Sequence, residues 1–194
     1  GQLGFTTVLH SARDHGNSSR HRNMNTVDFA QDIEAVLDWI GEPVVLYGHS
    51  AGSAGAIIAA HRNPQKIKAL FLEASYPYTE EALVSLYTWV NPVFGFLFAR
   101  MIIFWMNLFN NNMLDKVSPA RLAPDLKMPV MLIHGEKDRR FPLQFALRLK
   151  ESFKTAKIAL YIGSGANHSN SSLTPGYKEA VKRFLDRYWQ STSN

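Results

Sequence analysis

The chain has 194 residues and no cysteine, which excludes disulfide bonds, thiol catalysis and cysteine-ligated metal sites. Its length suits one domain with a sizeable core, and the apolar content of 46% is typical of a globular protein. The formal net charge is +5, but lysine and arginine form no run of five or six residues, so we expect no nucleic-acid partner. The histidines lack metal-binding spacing and no cofactor motif is present, so we expect neither a metal nor a cofactor.

The first part of the chain is predicted to contain a strand, a polar loop and an amphipathic helix. Residues 5–9 are rich in β-branched side chains and predict the strand, and the turn-forming residues 11–18 predict the loop. Apolar residues recur at helical spacing between residues 27 and 40, and Asn25 or Thr26 is suited to cap that helix.

The segment Gly48-His49-Ser50-Ala51-Gly52 follows the apolar strand 44–47 and leads into a helix that ends near residue 62. A strand, a G-x-S-x-G sequence and a helix together predict a nucleophile elbow, which is a sharp, strained turn that presents the serine hydroxyl. Gly48 and Gly52 are expected to let the two backbones approach closely. The alternative is a tight turn that carries an ordinary serine.

Strands and helices alternate along the rest of the chain. The predicted elements are strands at 67–72, 129–134 and 158–162, a helix at 143–153, and a final helix opened by Thr174-Pro175. This alternation predicts an α/β fold, a mostly parallel sheet with helices on both faces, in a single domain over residues 1–194. Sites in such sheets form at the carboxyl ends of the strands, where the candidate residues lie.

Two residues that follow strands complete a candidate triad with Ser50. A serine hydroxyl needs a general base, and the base needs an acid to orient it. Asp138 follows the strand at 130–133 and is the candidate acid, with Glu136 as the backup. His168 follows the last strand and is the candidate base, in the chain order expected after a nucleophile elbow. The alternatives are an aspartate in a surface turn and a histidine in an exposed loop.

The other histidines are expected to have different roles. His49 lies inside the elbow and is expected to pack or form a hydrogen bond there rather than act as the base. His15 belongs to a loop that we expect near the site. Surface or loop positions are predicted for His10, His15, His21, His61 and His134.

With these residues in order, the chain resembles an α/β-hydrolase fold serine hydrolase along nearly all of its length. Residues 48–52 match that family's elbow, and 13–18 resemble its R-G-H-G-x-S loop, with Asp14 in place of the usual glycine. Residues 134–138 and 165–169 resemble the segments that carry its acid and its histidine. The resemblance implies that the strands are the fourth to the eighth of the usual eight. It also implies that the N–H of Ala51 is one oxyanion-hole donor and that the loop with the second donor is missing from this chain.

Residues 76–116 are predicted to form an aromatic-rich helical lid, inserted between the core segments 1–75 and 117–194. Two helices broken near Asn91-Pro92 would cover the serine and shape an apolar pocket. The expected substrate-binding residues are His49, Tyr76, Trp89, Phe94 and Trp105. The alternatives for the lid are a membrane-spanning helix over 93–109, interfacial membrane contact, and a homodimer formed through this segment.

The resemblance implies an esterase-like activity. We expect a small-molecule ester with an apolar or medium-chain acyl group to be cleaved through an acyl-enzyme on Ser50. The aromatic lid is the reason to expect an apolar acyl group. Thioester or amide cleavage would use the same residues, and a non-catalytic binding or scaffold protein on a truncated form of the fold is the alternative from another class. We expect a cytoplasmic location.

Overall fold

A computed structural model describes residues 5–20, 25–110 and 113–188 of the chain. The helices of these ranges are α1 (Thr26–Ile40), α2 (Ala51–Arg62), α3 (Thr79–Val90), α4 (Gly95–Asn110), α5 (Met113–Lys116), α6 (Pro119–Leu122), α7 (Leu143–Ser152) and α8 (Tyr177–Tyr188). The strands are β1 (Val44–His49), β2 (Ile67–Glu73), β3 (Val130–Gly135) and β4 (Ile158–Gly163).

The strands form one parallel sheet in the order β1-β2-β3-β4, which confirms the predicted sheet. Because all four strands run in the same direction, their carboxyl ends meet at one edge of the sheet. Near that edge the register pairs His49 with Glu73, Glu73 with Ile133, and Gly135 with Gly163. The loops that follow the strands therefore start from neighbouring positions.

Helices cover both faces of the sheet, as predicted. Successive side chains of a strand point to opposite faces, so β2 and β3 contribute to two core clusters. Leu70 and Leu132 belong to the larger cluster, which includes side chains of α1, α2 and α7. Phe71 and Ile133 belong to the smaller one, where Phe184 of α8 packs edge to face on Phe71 with 5.0 Å between ring centroids.

Two predicted secondary-structure elements differ from the structure. The predicted strand at 5–9 is wrong, because residues 5–10 have no regular secondary structure and Leu9 is 92% exposed. β-Branched composition stabilises a strand only where a neighbouring backbone completes the ladder, and within the described ranges β1 pairs with β2 alone. The final helix begins at Tyr177 rather than at residue 174, after Gly176 with φ of 84°.

The N-terminus of α1 is held by a capping box that also positions the preceding loop. The side chain of Asn25 accepts the N–H of Val27 at 2.8 Å and of Asp28 at 3.2 Å, and the Asp28 carboxylate accepts the N–H of Asn25 at 2.9 Å. One turn later, the Asp32 carboxylate accepts two guanidinium bonds of Arg13, at 2.7 and 2.9 Å. The loop at 11–18 is thus tied to α1.

The predicted break near Asn91-Pro92 separates α3 from α4. Asn91 Oδ1 accepts the N–H of Val93 at 3.0 Å and of Phe94 at 2.9 Å, which turns the chain at this point. A Cβ on Gly95 would lie 2.1 Å from the carbonyl oxygen of Tyr87. Only glycine therefore allows the start of α4 to lie this close to the end of α3. No helix within the described ranges is long and apolar enough to cross a membrane.

His134 is buried in β3, so the prediction of a surface or loop position for it is wrong. Its side chain is fully inaccessible to solvent, and its Nε2–H donates to the carbonyl oxygen of Phe141 at 2.7 Å. Nδ1 is buried without a hydrogen-bond partner in the described part of the chain. Burial lowers the pKa of His134, because it disfavours the charged imidazolium. The structure therefore holds this histidine neutral.

This burial predicts a pH dependence of stability. The unfolded chain binds a proton at His134 below about pH 6.5, whereas the folded chain binds it only at lower pH. The stability that His134 contributes is therefore complete above about pH 6.5 and is lost as the pH falls through the lowered folded pKa. We expect the wild type to lose more unfolding free energy between pH 7 and pH 5 than His134→Gln, which keeps a donor near Nε2.

Urea unfolding at the two pH values measures this difference. His10→Gln removes an exposed imidazole and is the control, expected to follow the wild type. An equal loss in the wild type and in His134→Gln would contradict the prediction.

Candidate active site

The turn between β1 and α2 holds Ser50 in a left-handed backbone conformation. Ser50 has φ of 53°, which is unusual for a residue with a side chain and costs energy. Its N–H donates to the carbonyl oxygen of Glu73 at 2.9 Å, which ties the turn to the end of β2. Ala51 is the first residue of α2, so its N–H has no carbonyl within the helix to bind.

The two glycines of this turn do not have the same role. A Cβ on Gly48 would lie 2.5 Å from the carbonyl oxygen of Gly52 and 2.7 Å from Cα of Ser53, so the close approach expected there is observed. A Cβ on Gly52 would have no neighbouring atom within 4 Å outside its own helix backbone. The expectation that Gly52 also allows a close approach is therefore wrong, since space is tight only on the strand side of Ser50.

Ser50, His168 and Asp138 lie in one hydrogen-bonded line. His168 Nδ1 lies 2.7 Å from Asp138 Oδ2, and His168 Nε2 lies 3.0 Å from Ser50 Oγ. An ionised carboxylate only accepts hydrogen bonds, so Nδ1 carries the proton and Nε2 accepts the hydroxyl of Ser50. Asp138 is 5% exposed and His168 is 8% exposed, so both side chains are largely shielded from water. The arrangement can take a proton from the serine hydroxyl.

The environment of Asp138 keeps its carboxylate charged. Burial by itself would raise the pKa of Asp138, but the hydrogen bond from His168 and that from the N–H of Phe141 outweigh it and hold the pKa below its ordinary value. The second oxygen, Oδ1, accepts the N–H of Arg140 at 2.9 Å and of Phe141 at 3.0 Å. These bonds fix the carboxylate toward His168.

The loops that carry Asp138 and His168 are packed against each other at the end of β3. A Cβ on Gly135 would lie 2.1 Å from the carbonyl oxygen of Asn167 and 2.6 Å from that of Ala166. The N–H of Lys137 donates to the carbonyl oxygen of Ala166 at 2.8 Å. This close approach places the loop after β4 directly over the loop after β3.

Glu136, the backup acid, is turned away from His168. Its carboxylate accepts the N–H of Gly165 at 2.8 Å and the hydroxyl of Ser164 at 3.0 Å, and these bonds lower its pKa. Glu136 therefore holds the start of the loop that carries His168, whereas Asp138 meets the imidazole itself.

His49 supports His168 from the side of β1. Its Nε2 lies 3.0 Å from the carbonyl oxygen of His168 and donates to it, and the two rings lie edge to face with 5.2 Å between centroids. The expected hydrogen bond inside the turn is thus present, with the backbone of His168 as its partner. The expected substrate-binding role of His49 stays a prediction.

The other predicted substrate-binding residues fall into two groups. Tyr76 is buried and packs edge to face on Phe141, which in turn packs on the ring of His168 with 5.0 Å between centroids. The other three are exposed: Trp89 lies on α3, Phe94 on the turn that follows it, and Trp105 on α4. Only Tyr76 is connected by ring contacts to the candidate triad, and the binding role of all four stays a prediction.

Four polar residues near the turn were assigned no role from the sequence. The hydroxyl of Tyr47 donates to the buried carboxylate of Glu73. The hydroxyl of Ser53 lies 2.6 Å from the carbonyl oxygen of Ser50 and 2.8 Å from the hydroxyl of Ser75. Glu73 and Ser75 lie at the carboxyl end of β2, and the rule that singled out Asp138 and His168 could have singled them out too.

The loop at 11–18 contacts α1 rather than the candidate triad. His15 packs on Phe29 with 5.8 Å between ring centroids, and its Nδ1 bonds to the carbonyl oxygen of Arg13. Asp14, which replaces the glycine usual in similar loops, has φ of 61°, a conformation that aspartate tolerates better than most residues. Over the described ranges, no cluster of three or more potential ligand side chains is arranged to hold a metal ion.

Comparisons with known proteins identify the family. Residues 2–100, which make up about half of the chain, match the family described as alpha/beta hydrolase fold. The chain is 25% identical over 190 residues to protein bem46 of Schizosaccharomyces pombe, which covers 94% of this chain and 58% of that protein. It is 27% identical over 163 residues to human protein ABHD12B, covering 76% of this chain and 42% of that protein. The chain therefore spans about half the length of these curated relatives.

A solved structure of the same fold is similar to this one. The monoacylglycerol lipase of Paleococcus ferrophilus superposes with a TM-score of 0.60 at 18% sequence identity, covering 90% of this chain and 80% of that one. At that identity the likeness establishes the fold alone. Together with the match over residues 2–100, it leads to one conclusion: the chain belongs to the alpha/beta hydrolase fold family.

Proposed function

We propose that the chain is the core of a serine hydrolase that cleaves a carboxylic ester through an acyl-enzyme. The observation that carries this proposal is the line of two hydrogen bonds, 3.0 Å and 2.7 Å, that joins Ser50 Oγ to Asp138 through His168. A nucleophile, a base and an acid within hydrogen-bond reach of one another are the minimal parts of this chemistry.

The proposed reaction has two stages. Ser50 Oγ attacks the ester carbonyl carbon while His168 Nε2 takes the hydroxyl proton, and the same nitrogen then gives that proton to the leaving alcohol. Water attacks the resulting acyl-enzyme, again through His168, and releases the acid and the free serine. Asp138 holds Nδ1–H in place and stabilises the imidazolium while it is charged.

The N-terminus of α2 supports stabilisation of the oxyanion. The N–H of Ala51 belongs to the first residue of that helix, where the amide protons and the helix dipole favour negative charge. We propose Ala51 N–H as a donor to the oxygen that becomes negative when Ser50 attacks. One such donor contributes on the order of 10² to 10³ in rate.

The aromatic side chains around His168 favour an apolar acyl group. Phe141 packs on His168, Tyr76 packs on Phe141, and Phe145 stacks on Phe141 with 6.1 Å between ring centroids. These uncharged rings make the surroundings of His168 apolar, which favours an apolar group next to the reacting carbonyl. This supports an ester of an apolar or medium-chain acid, with thioesters and amides of the same acids as the compounds to compare.

A fluorophosphonate probe tests the proposal directly. We expect one adduct in the wild type, on Ser50 and located by mass spectrometry, and none in Ser50→Ala, because only an activated serine reacts at a useful rate. Ser172→Ala removes an exposed serine and is the control, expected to be labelled like the wild type. A folded wild-type sample without any adduct would favour the binding-protein alternative.

Exchange of the acid distinguishes Asp138 from Glu136. Asp138→Asn is expected to lower kcat for a p-nitrophenyl acyl ester by about 10³- to 10⁴-fold with little change in KM, since the amide no longer fixes the tautomer and charge of His168. Glu136→Gln makes the same change from acid to amide two residues earlier in the same loop. It is expected to lower kcat less than tenfold. Equal effects of the two changes would exclude Asp138 as the acid.

The two glycines of the turn give a further test. Gly48→Ala is expected to lower the free energy of unfolding by about 1 to 3 kcal/mol and to abolish labelling of Ser50, because its methyl group meets backbone atoms. Gly52→Ala, which meets open space, is expected to change stability by less than about 1 kcal/mol. Thermal unfolding and probe labelling measure both effects, and similar destabilisation by the two variants would contradict this reading of the turn.

A further inference from the structure

The outer side of α3 and α4 carries most of the exposed apolar side chains in the described ranges. Of 19 exposed large hydrophobic residues, 12 lie between Trp89 and Phe109, and we call them the α3–α4 face. Phe109 is 78% exposed and Leu97 is 68% exposed. Soluble monomers rarely leave a continuous apolar patch of this size open to water, so the α3–α4 face calls for a partner.

The charge within the α3–α4 face is basic. Residues 82–109 contain one charged residue, Arg100, and no acid. Arg100 and Arg139 line a groove of about 600 Å³ with Trp89, and within the described chain neither arginine forms an ion pair. The guanidinium of Arg140 lies 4.5 Å from the ring centroid of Trp89.

Two acids, Glu80 and Glu81, line the same groove, and both have hydrogen-bond partners. Glu81 accepts two hydrogen bonds from Arg148, at 2.5 and 2.9 Å, and Glu80 accepts the side-chain N–H of Asn107 at 2.7 Å. Both glutamates lie in the first turn of α3, about 12 Å along the helix from Trp89 at its other end. The arginine end of the face therefore offers positive charge to a partner.

A second copy of this chain does not complement these charges. Residues 82–109 contain no acid, so the helices of two α3–α4 faces packed together would offer Arg100 only apolar side chains or another arginine. The surface of an anionic bilayer is complementary to the face, because its phosphates can pair with the arginines and its acyl layer can contact the aromatic side chains. Tryptophan, present at Trp89 and Trp105, is suited to that boundary.

We propose that the α3–α4 face docks onto the surface of anionic lipid membranes, with α4 lying in the plane of the interface. The 16 residues of α4 give a helix about 24 Å long, and its exposed apolar side would insert among the acyl chains. Arg100, Arg139 and Arg140 would contact lipid phosphates. The docking uses none of Ser50, His168 or Asp138 and does not depend on the proposed hydrolysis.

Docking in this orientation places the groove beside the membrane. Phe145 lines the groove and stacks on Phe141, which packs on His168. Two aromatic rings thus separate the groove from the candidate base.

Sedimentation of the chain with vesicles tests the docking. We expect the wild type to pellet with phosphatidylcholine vesicles that contain 30% phosphatidylserine, with at least tenfold weaker binding to pure phosphatidylcholine and weaker binding in high salt. The combined change Phe104→Ser, Trp105→Ser and Leu108→Ser is expected to reduce binding at least tenfold. Trp39→Ser, which changes a 76% exposed tryptophan on α1, is the matched control and is expected to bind like the wild type.

A charge-matched pair repeats the test without changing apolar area. Arg100→Glu is expected to weaken binding about tenfold, whereas Lys178→Glu, with the same change of net charge on α8, is expected to leave it unchanged. This pair decides the question if the triple variant does not fold, as judged by circular dichroism. Ser50→Ala is expected to bind vesicles like the wild type, so failure of the proposed hydrolysis would not be mistaken for failure of docking.

Three results would overturn the proposal. The first is equal binding to neutral and anionic vesicles, and the second is equal binding by Arg100→Glu and Lys178→Glu. The third is the absence of vesicle binding together with a dimer, seen by light scattering, that the triple variant abolishes; this would assign the α3–α4 face to a second copy of the chain.

Discussion

The candidate site depends on how closely the loop after β4 passes over the end of β3. That approach is possible because residue 135 is glycine, since any side chain there would collide with the carbonyl oxygens of Ala166 and Asn167. The parallel register places Gly135 opposite Gly163, so both loops leave the sheet at the same level. The contact between Asp138 and His168 follows from this packing, because each side chain needs to reach only a few ångströms beyond its own loop.

Backbone strain is concentrated at the same edge of the sheet. Ser50 and Ala74 both have positive φ, at 53° and 49°, and each such residue costs about 1 to 3 kcal/mol. Both are held by hydrogen bonds to the neighbouring strand, Ser50 N–H to Glu73 and Ala74 N–H to Ile133, each at 2.9 Å. The ladder of the sheet thus continues beyond the strands and offsets the strain that presents the serine hydroxyl.

The helices α3 and α4 carry apolar side chains on two sides, one buried in the protein and the other exposed to solvent. On the inner side Ala99 and Ile103 are buried. On the outer side, side chains such as Leu108 are exposed. Packing of the inner side accounts for the position of the helices. The stability of the chain does not explain why the outer side exposes apolar side chains to water. The proposed membrane docking would account for the exposure of the outer side.

The sequence by itself determined the features that depend on neighbouring residues. Alternating strand and helix patterns predicted the parallel sheet and its two helical layers, and the small residues around Ser50 predicted the turn after β1. The position of polar residues after strands singled out Asp138 and His168. The same local signals were insufficient for residues 5–9, where a strand-like composition meets no partner strand, and for His134, whose burial depends on the segment that packs over it.

Only the tertiary structure decided which groups meet. The bonds of His168 reach Asp138 across 30 positions, Ser50 across 118 and His49 across 119. Glu136 and Asp138 lie two residues apart after the same strand, and the sequence ranked Asp138 first but kept Glu136 as an alternative. The packing of the loop after β4 gives Glu136 the backbone of Gly165 and gives Asp138 the imidazole. Contacts of this kind depend on the path of the whole chain, which no local pattern contains.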